Sequence, residues 1–163
     1  MNSITGRSNM KLYLVQHAKA ASTQVDPQRQ LTEQGRRDLQ KIAGFIKPLN
    51  LCVDYLWHSG KRRAVQTAEL LAGVVKVNKA RTIRDGLGPN DDVTMLRDEL
   101  ASSRQDVMVV GHLPFLSKLT SLLLSGSESA DPVAFKQGGI VCLNGSESNQ
   151  WQLDWMVTPE LLV

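Results

Sequence analysis

The apolar positions of this chain fall into short runs alternating with stretches of helical spacing. Lys11 to Val15, KLYLV, is a compact β-rich run and predicts a first strand. After a loop holding Pro27, Thr32-Glu33-Gln34 opens a stretch in which Leu39, Ile42, Ala43, Ile46 and Leu49 recur at helical intervals. One face of that helix is therefore predicted to pack on a core. Val53 to His58 predicts a second strand, and Arg62 to Ala72 a second helix with Ala64, Ala68 and Leu71 inward. Val74 to Val77 predicts a short strand. A Gly-Leu-Gly-Pro loop then leads into a third helix over Asp91 to Ser102, carrying Val93, Leu96 and Leu100.

Val107 to Val110, VMVV, is apolar without interruption, as expected of a strand covered by helices on both faces. Pro114 starts a fourth helix through Leu124, and a Ser/Gly-rich loop follows from Ser125 to Asp131. Gly139 to Leu143 and Trp151 to Val157 read as two last strands, with the Asn144-Gly145 turn signal between them. In the final strand Trp151, Leu153, Trp155 and Val157 alternate with polar or Met residues. That pattern predicts one buried face with both tryptophans in the core. Strands alternating with helices predict an α/β layered domain with a mainly parallel sheet.

A length of 163 residues argues for one domain. Residues 1–9 are polar and read as a disordered leader, leaving 10–163 as the folded unit. With 42% apolar and 21% charged residues, the chain is no disordered tail, collagen or coiled coil. Its net charge of +3 suits an anionic ligand but does not argue for nucleic acid, and ordinary solubility accounts for it. Cys52 and Cys142 stand among apolar neighbours and read as buried thiols of a reducing compartment. No apolar run approaches the ~18 residues of a membrane helix, so no membrane partner is expected. The default location is the cytoplasm, and the oligomeric state stays open.

The informative polar groups are placed by the strands. His17 follows the first strand run by two residues, His112 follows VMVV by two, and Arg63 stands in the first turn after the second strand. Ligands of open α/β sheets bind at the carboxyl ends of strands, where helix starts attract anions. Each residue alone has a bland reading, a hydrogen-bonded structural His or a surface Arg. Their repetition at three strand ends favours a shared site. Zinc would want His-x-x-His or Cys-x-x-Cys spacing, which is absent, and an Arg repels a cation. A Gly-x-Ser-x-Gly elbow and a Walker loop are also absent. Two imidazoles with cationic donors suit a tetrahedral phosphoryl anion. A neutral imidazole can attack phosphorus in line while the Arg fork and the second imidazole hold the oxygens.

These residues also lie in motifs. LVQHA (Leu14 to Ala18) resembles the strand-plus-Arg-His-Gly signature of the histidine phosphatase (phosphoglycerate mutase-like) superfamily. SGKRRAVQTA (Ser59 to Ala68), VGHLP (Val110 to Pro114) and Arg29-Gln30-Leu31-Thr32-Glu33-Gln34-Gly35 resemble three further elements of that family. The short length and lack of insertions look most like the SixA-type phosphohistidine phosphatase branch. The resemblance implies a three-layer α/β/α sandwich, no metal and no cofactor. It implies His17 as nucleophile, passing through a phosphohistidine, with Arg63 and His112 stabilising the transferring group. It implies Gln16 and Arg29 as further phosphate-binding residues, and a phosphorylated protein or small phosphorylated molecule as partner.

Two departures stand out. Gln16 replaces an Arg before the nucleophile, exchanging a charge-assisted donor for a neutral amide. Ala18 replaces a Gly, adding a Cβ where backbone is expected to approach phosphate. Asp91 and Asp92 are the candidate general acids, with helix capping as the competing reading. If an acid is missing, an easily departing imidazole is the fitting leaving group, so phosphohistidine is the expected substrate. The alternatives are a broad phosphomonoesterase and a non-catalytic phosphate-binding regulatory module.

Overall fold

A computed structural model describes residues 9–163. The expected leader falls almost wholly outside them. The chain runs β1 (Met10–Gln16), α1 (Glu33–Ile46), β2 (Cys52–His58), α2 (Arg62–Ala72), β3 (Lys76–Ile83), α3 (Val93–Ser103), β4 (Val107–Gly111), α4 (Phe115–Ser125), β5 (Ile140–Gly145) and β6 (Trp151–Val157). Short 3-10 turns follow α1 and β6. One six-stranded sheet has the order β3-β2-β4-β1-β5-β6. The pairs β1/β4, β2/β4 and β2/β3 are parallel, whereas β5 is antiparallel to both its neighbours.

Period-2 alternation sorts the strand residues into two cores. Leu12, Leu14, Val107 and Val109 face one way and pack with Leu96, Leu100, Phe115 and Leu119 of α3 and α4. Tyr13, Val15, Met108 and Val110 face the other way and pack with Ile42, Ile46, Ala64, Ala68 and Leu71 of α1 and α2. The VMVV strand is buried along its whole length, as its unbroken apolar run predicts. The result is a three-layer α/β/α sandwich with a mostly parallel sheet. No helix among the described residues is long and apolar enough to cross a membrane.

Several expectations are corrected. The third strand is Lys76–Ile83, not 74–77. It is an edge strand with mostly exposed side chains, so it carries no hydrophobic alternation to read. Leu49 is not on the buried face of α1. Pro48 ends the helix into a 3-10 turn, and Leu49 is exposed. Asn144 and Gly145 pair within β5, and the reversal lies at Ser146–Gln150. The last strand does not bury a single face. A register shift between Cys142 and Leu143 puts Trp151 in the α3/α4 core and Trp155 against the α1/α2 core, while Leu153 is exposed. Cys142 is buried, its thiol pushed up to about 12 by burial, but Cys52 is exposed.

Candidate active site

The carboxyl ends of β1, β2 and β4 lie side by side in the sheet, so the residues that follow them share one rim. His17 continues from β1 and its amide donates to the Gly111 carbonyl at 3.1 Å, tying it to the end of β4. His112 is the next residue there. The two imidazoles lie 5.1 Å apart between centroids, tilted by 51°. Arg63 enters from the first turn of α2, its Nε donating to His17 Nε2 at 3.3 Å. The structure thus brings together the three residues chosen from the sequence.

His17 has a defined tautomer. A carbonyl only accepts, so the 2.8 Å contact between Nδ1 and the Ala18 oxygen places the proton on Nδ1 and leaves the Nε2 lone pair to accept from Arg63 Nε. Burial pushes the His17 pKa down to about 4, with the Ala18 carbonyl acting against this and the charges of Arg63 and Arg29 reinforcing it. His112 is pushed down to about 3, by burial first and then by His17, Arg63, Lys61 and Arg29. Both rings are neutral near pH 7. The neighbours that shift them through their charge are cationic or imidazole groups, none a carboxylate. Arg63 is itself held below its ordinary value by burial and by Arg29. Neither Arg29 nor Arg63 has an ion-pair partner among the described residues. Like charges held together without a counter-charge are costly, and an anionic guest relieves that cost.

Arg29 is carried by a tight turn. Asp26 accepts from the amides of Gln28 and Gln30, both at 3.0 Å, and these bonds hold its carboxyl below the usual range. Arg29 adopts a left-handed φ of 51° and its Nε donates to the Ala21 carbonyl at 3.0 Å. Gln66 of α2 fixes the exit of the turn, its Oε1 accepting from Leu31 N at 2.8 Å and its Nε2 donating to Gln30. Thr67 ties Arg63 to the residue after His17. Its hydroxyl donates to the Arg63 carbonyl at 2.8 Å and accepts from Ala18 N at 3.1 Å. On the far side, Gly35 lets the first turn of α1 lie on the backbone of Lys19, where any Cβ would collide with the Lys19 carbonyl. Thr32 completes that junction by capping α1 and donating its amide to Lys19.

The other expectations fare unequally. Gln16 is buried at the end of β1 with its Oε1 unpartnered, and it makes no hydrogen bond to the two imidazoles or Arg63. The Ala18 methyl packs in a small apolar cluster with Leu31 and Leu39. Asp92 is the N-cap of α3, accepting from Thr94 N at 2.9 Å, and Asp91 accepts from Gly88 N at 2.7 Å. Both serve local backbone and neither bonds the imidazoles or Arg63. His58 is buried with Nδ1 bonded to the Ser59 carbonyl, a structural role. Sequence reading assigned no role in the site to Ser59, Gln66 or Thr67, although all three lie inside the SGKRRAVQTA motif. Ser59 Oγ sits 2.5 Å from His112 Nε2, while His112 Nδ1 is buried with no partner. Among the described residues, no three His, Cys, Asp or Glu side chains are grouped to hold a metal ion.

A sandwich of this topology, with two imidazoles and a guanidinium on one strand rim, is the class of architecture that the motifs foreshadow. The profile of the histidine phosphatase superfamily (branch 1) matches residues 12–87, the segment holding His17, Arg29 and Arg63. The protein histidine phosphatase SixA, solved with tungstate, superposes with a TM-score of 0.81 at 24% identity, over 93% of this chain and 99% of that one. A phosphoserine phosphatase of Entamoeba histolytica, solved as a mutant with phosphoserine, gives 0.69 at 16% identity over 94% and 100%. A mycobacterial glucosyl-3-phosphoglycerate phosphatase gives 0.68 at 16% over 90% and 97%. None of the curated proteins matches the chain. The resemblance to the superfamily is borne out by the profile, and the fold is the phosphoglycerate mutase-like one.

Proposed function

We propose that this chain is a phosphatase that removes a phosphoryl group from phosphohistidine in a partner protein, through a covalent phospho-His17 intermediate. The observation that carries the reading is the neutral His17 ring, fixed by the Ala18 carbonyl with its unprotonated Nε2 turned to Arg63, in a cationic cup with no carboxylate bonded to it. Nε2 attacks phosphorus, a new P–N bond forms, and the bond to the leaving imidazole breaks. Arg63 and His112 hold the oxygens on which charge collects, with Arg29 and Gln16 at the margin. Water then attacks phospho-His17 and releases inorganic phosphate. Asp91 and Asp92 are occupied by backbone amides, so the departing group receives no obvious proton from the protein. An imidazole protonated by solvent on its other nitrogen departs as a neutral molecule, so it leaves without that help far more readily than an alkoxide. A cytoplasmic location belongs to the same reading, supported by two free cysteines.

Rapid-quench mass spectrometry at alkaline pH tests this, with wild type and His17→Ala incubated with a phosphohistidine protein. Wild type is expected to gain one phosphoryl group on His17 and the variant none. Parallel turnover of a sugar phosphate decides the substrate. Faster hydrolysis of the sugar ester would favour a broad phosphomonoesterase, and tight anion binding with no covalent label would leave only a binding module.

A further inference from the structure

We propose that Ser59 is a positioning residue for His112: its hydroxyl donates to Nε2 and so fixes the imidazole as the tautomer protonated on Nδ1, the donor left over for a phosphoryl oxygen. The proposal rests on the phosphatase reading only for what the donor meets; the tautomer itself is a property of the free protein.

Counting partners decides the direction of this bond. Ser59 and His112 are both buried, 5% and 2% exposed, and lie 2.5 Å apart. The Ser59 oxygen also receives the amide of Lys61, at a long 3.4 Å. Suppose His112 carried its proton on Nε2 and donated to Ser59. The Ser59 proton would then have no acceptor, and the buried Nδ1 would be a lone pair without a donor. Two groups would be stranded. If Ser59 donates to Nε2, only one group is stranded, the Nδ1 proton. Stranding a buried polar group costs about 1–3 kcal/mol, so the second arrangement prevails. A phosphoryl oxygen is the acceptor proposed for the remaining proton, reached by a small shift of the groups that cover Nδ1 in the ligand-free protein.

The surroundings point the same way. Among the groups whose charge reaches His112, Arg63, Lys61 and Arg29 carry only side-chain donors, and no hydrogen bond joins the fourth, His17, to His112 Nδ1. Neutral at pH 7, the ring holds a single proton, so its placement is a real choice. His17 carries its proton on Nδ1 as well, but there the proton is spent on the Ala18 carbonyl. The two rings therefore share a tautomer and differ in which nitrogen is committed to the protein. His17 is left with an unprotonated nitrogen, met only by Arg63 and suited to attack. His112 is left with an N–H, suited to hold an oxygen. Ser59 and the Ala18 carbonyl between them decide which imidazole is nucleophile and which is donor.

Nitrogen-15 spectra of the ring nitrogens in the ligand-free protein provide the test, with inorganic phosphate as the added probe. Wild type is expected to show His112 protonated on Nδ1 and bare on Nε2, with the Nδ1–H resonance moving on phosphate addition. Ser59→Ala is expected to move the proton toward Nε2 and to lower kcat by about ten- to a hundredfold, the range for lost orienting partners. Ser59→Thr, which keeps the hydroxyl, is expected to restore both readouts. A protonated Nε2 in wild type, an Nδ1–H resonance unmoved by bound phosphate, or unchanged tautomer and turnover in Ser59→Ala would overturn the proposal. If Ser59→Ala does not fold, the wild-type spectra decide alone. Absence of label on His17 with the expected tautomer would strike the functional reading and leave the Ser59 assignment standing.

Discussion

Arg63 directs its Nε–H at Nε2 of His17 across 3.3 Å, so the cation lies against the nitrogen that has no other partner. A phosphoryl group arriving at that nitrogen meets the guanidinium at once. Replacing Arg63 by Gln removes this donor. The expected loss is about 10²–10³ in kcat, as for other preorganised donors at developing charge. Because Arg63 also lowers the His17 pKa, the His17 midpoint in Arg63→Gln is expected to rise above its wild-type value. Steady-state kinetics and an imidazole NMR titration check the two effects separately.

Acid should weaken the fold through the same imidazoles. Their folded values are about 4 and 3, against an unfolded value near ~6.5. Between those limits the unfolded chain binds more protons than the native one. Stability therefore rises with pH through that window and levels off above it. Urea unfolding between pH 4 and pH 8 is expected to show this slope, and His17→Gln/His112→Gln is expected to flatten it. An equal slope in both proteins would assign the acid sensitivity elsewhere.

Asp91 and Asp92 are expected to be separable from catalysis. Asp92→Ala removes the α3 cap and should cost about 0.5–2 kcal/mol of stability. Turnover of a phosphohistidine protein, measured well below the melting temperature, should stay within about twofold of wild type for Asp91→Asn and Asp92→Asn, because each carboxylate bonds only its own loop and helix start. A large loss in either would restore the acid-assisted mechanism.

Gly35→Ala probes the seating of α1. Its Cβ meets the Lys19 carbonyl, which is backbone and cannot swing aside. Forcing it in should cost about 1–3 kcal/mol and push on the segment two residues beyond His17. Thermal melts are expected to show the loss, and slower phosphorylation of His17 to accompany it. Gly44→Ala, inside α1 with open space around its Cβ, serves as the control, expected to leave phosphorylation unchanged and to raise stability by about 0.5–1 kcal/mol.

Much of this architecture could be read from residue pattern because central strands and amphipathic helices carry their burial in their own sequence. KLYLV and VMVV declared the strands that carry His17 and His112, and Arg62–Ala72 matched its helix end to end. What escaped was set by partners distant in the chain. Lys76–Ile83 is a strand because β2 pairs with it, not because its side chains alternate. The opposed burial of Trp151 and Trp155 follows from Asp154, the extra residue of β6 that pairs with nothing in β5, and the alternation of β6 alone does not mark that bulge. In the site, the strand-end positions of His17, Arg63 and His112 were legible. The bond between Ser59 and His112 was not, since it joins residues 53 positions apart whose strands become neighbours only in the sheet.

Helix α2 supplies Arg63 to the nucleophile, Gln66 to the turn that bears Arg29, and Thr67 to the backbone of Ala18. These are successive turns of one rod seated on the sheet by Ala64, Ala68 and Leu71. One helix thus fixes these polar walls relative to one another. Damage to the seating of that rod should loosen all its polar walls together, so a remote alanine-to-larger change under α2 would mimic an active-site lesion without touching the rim.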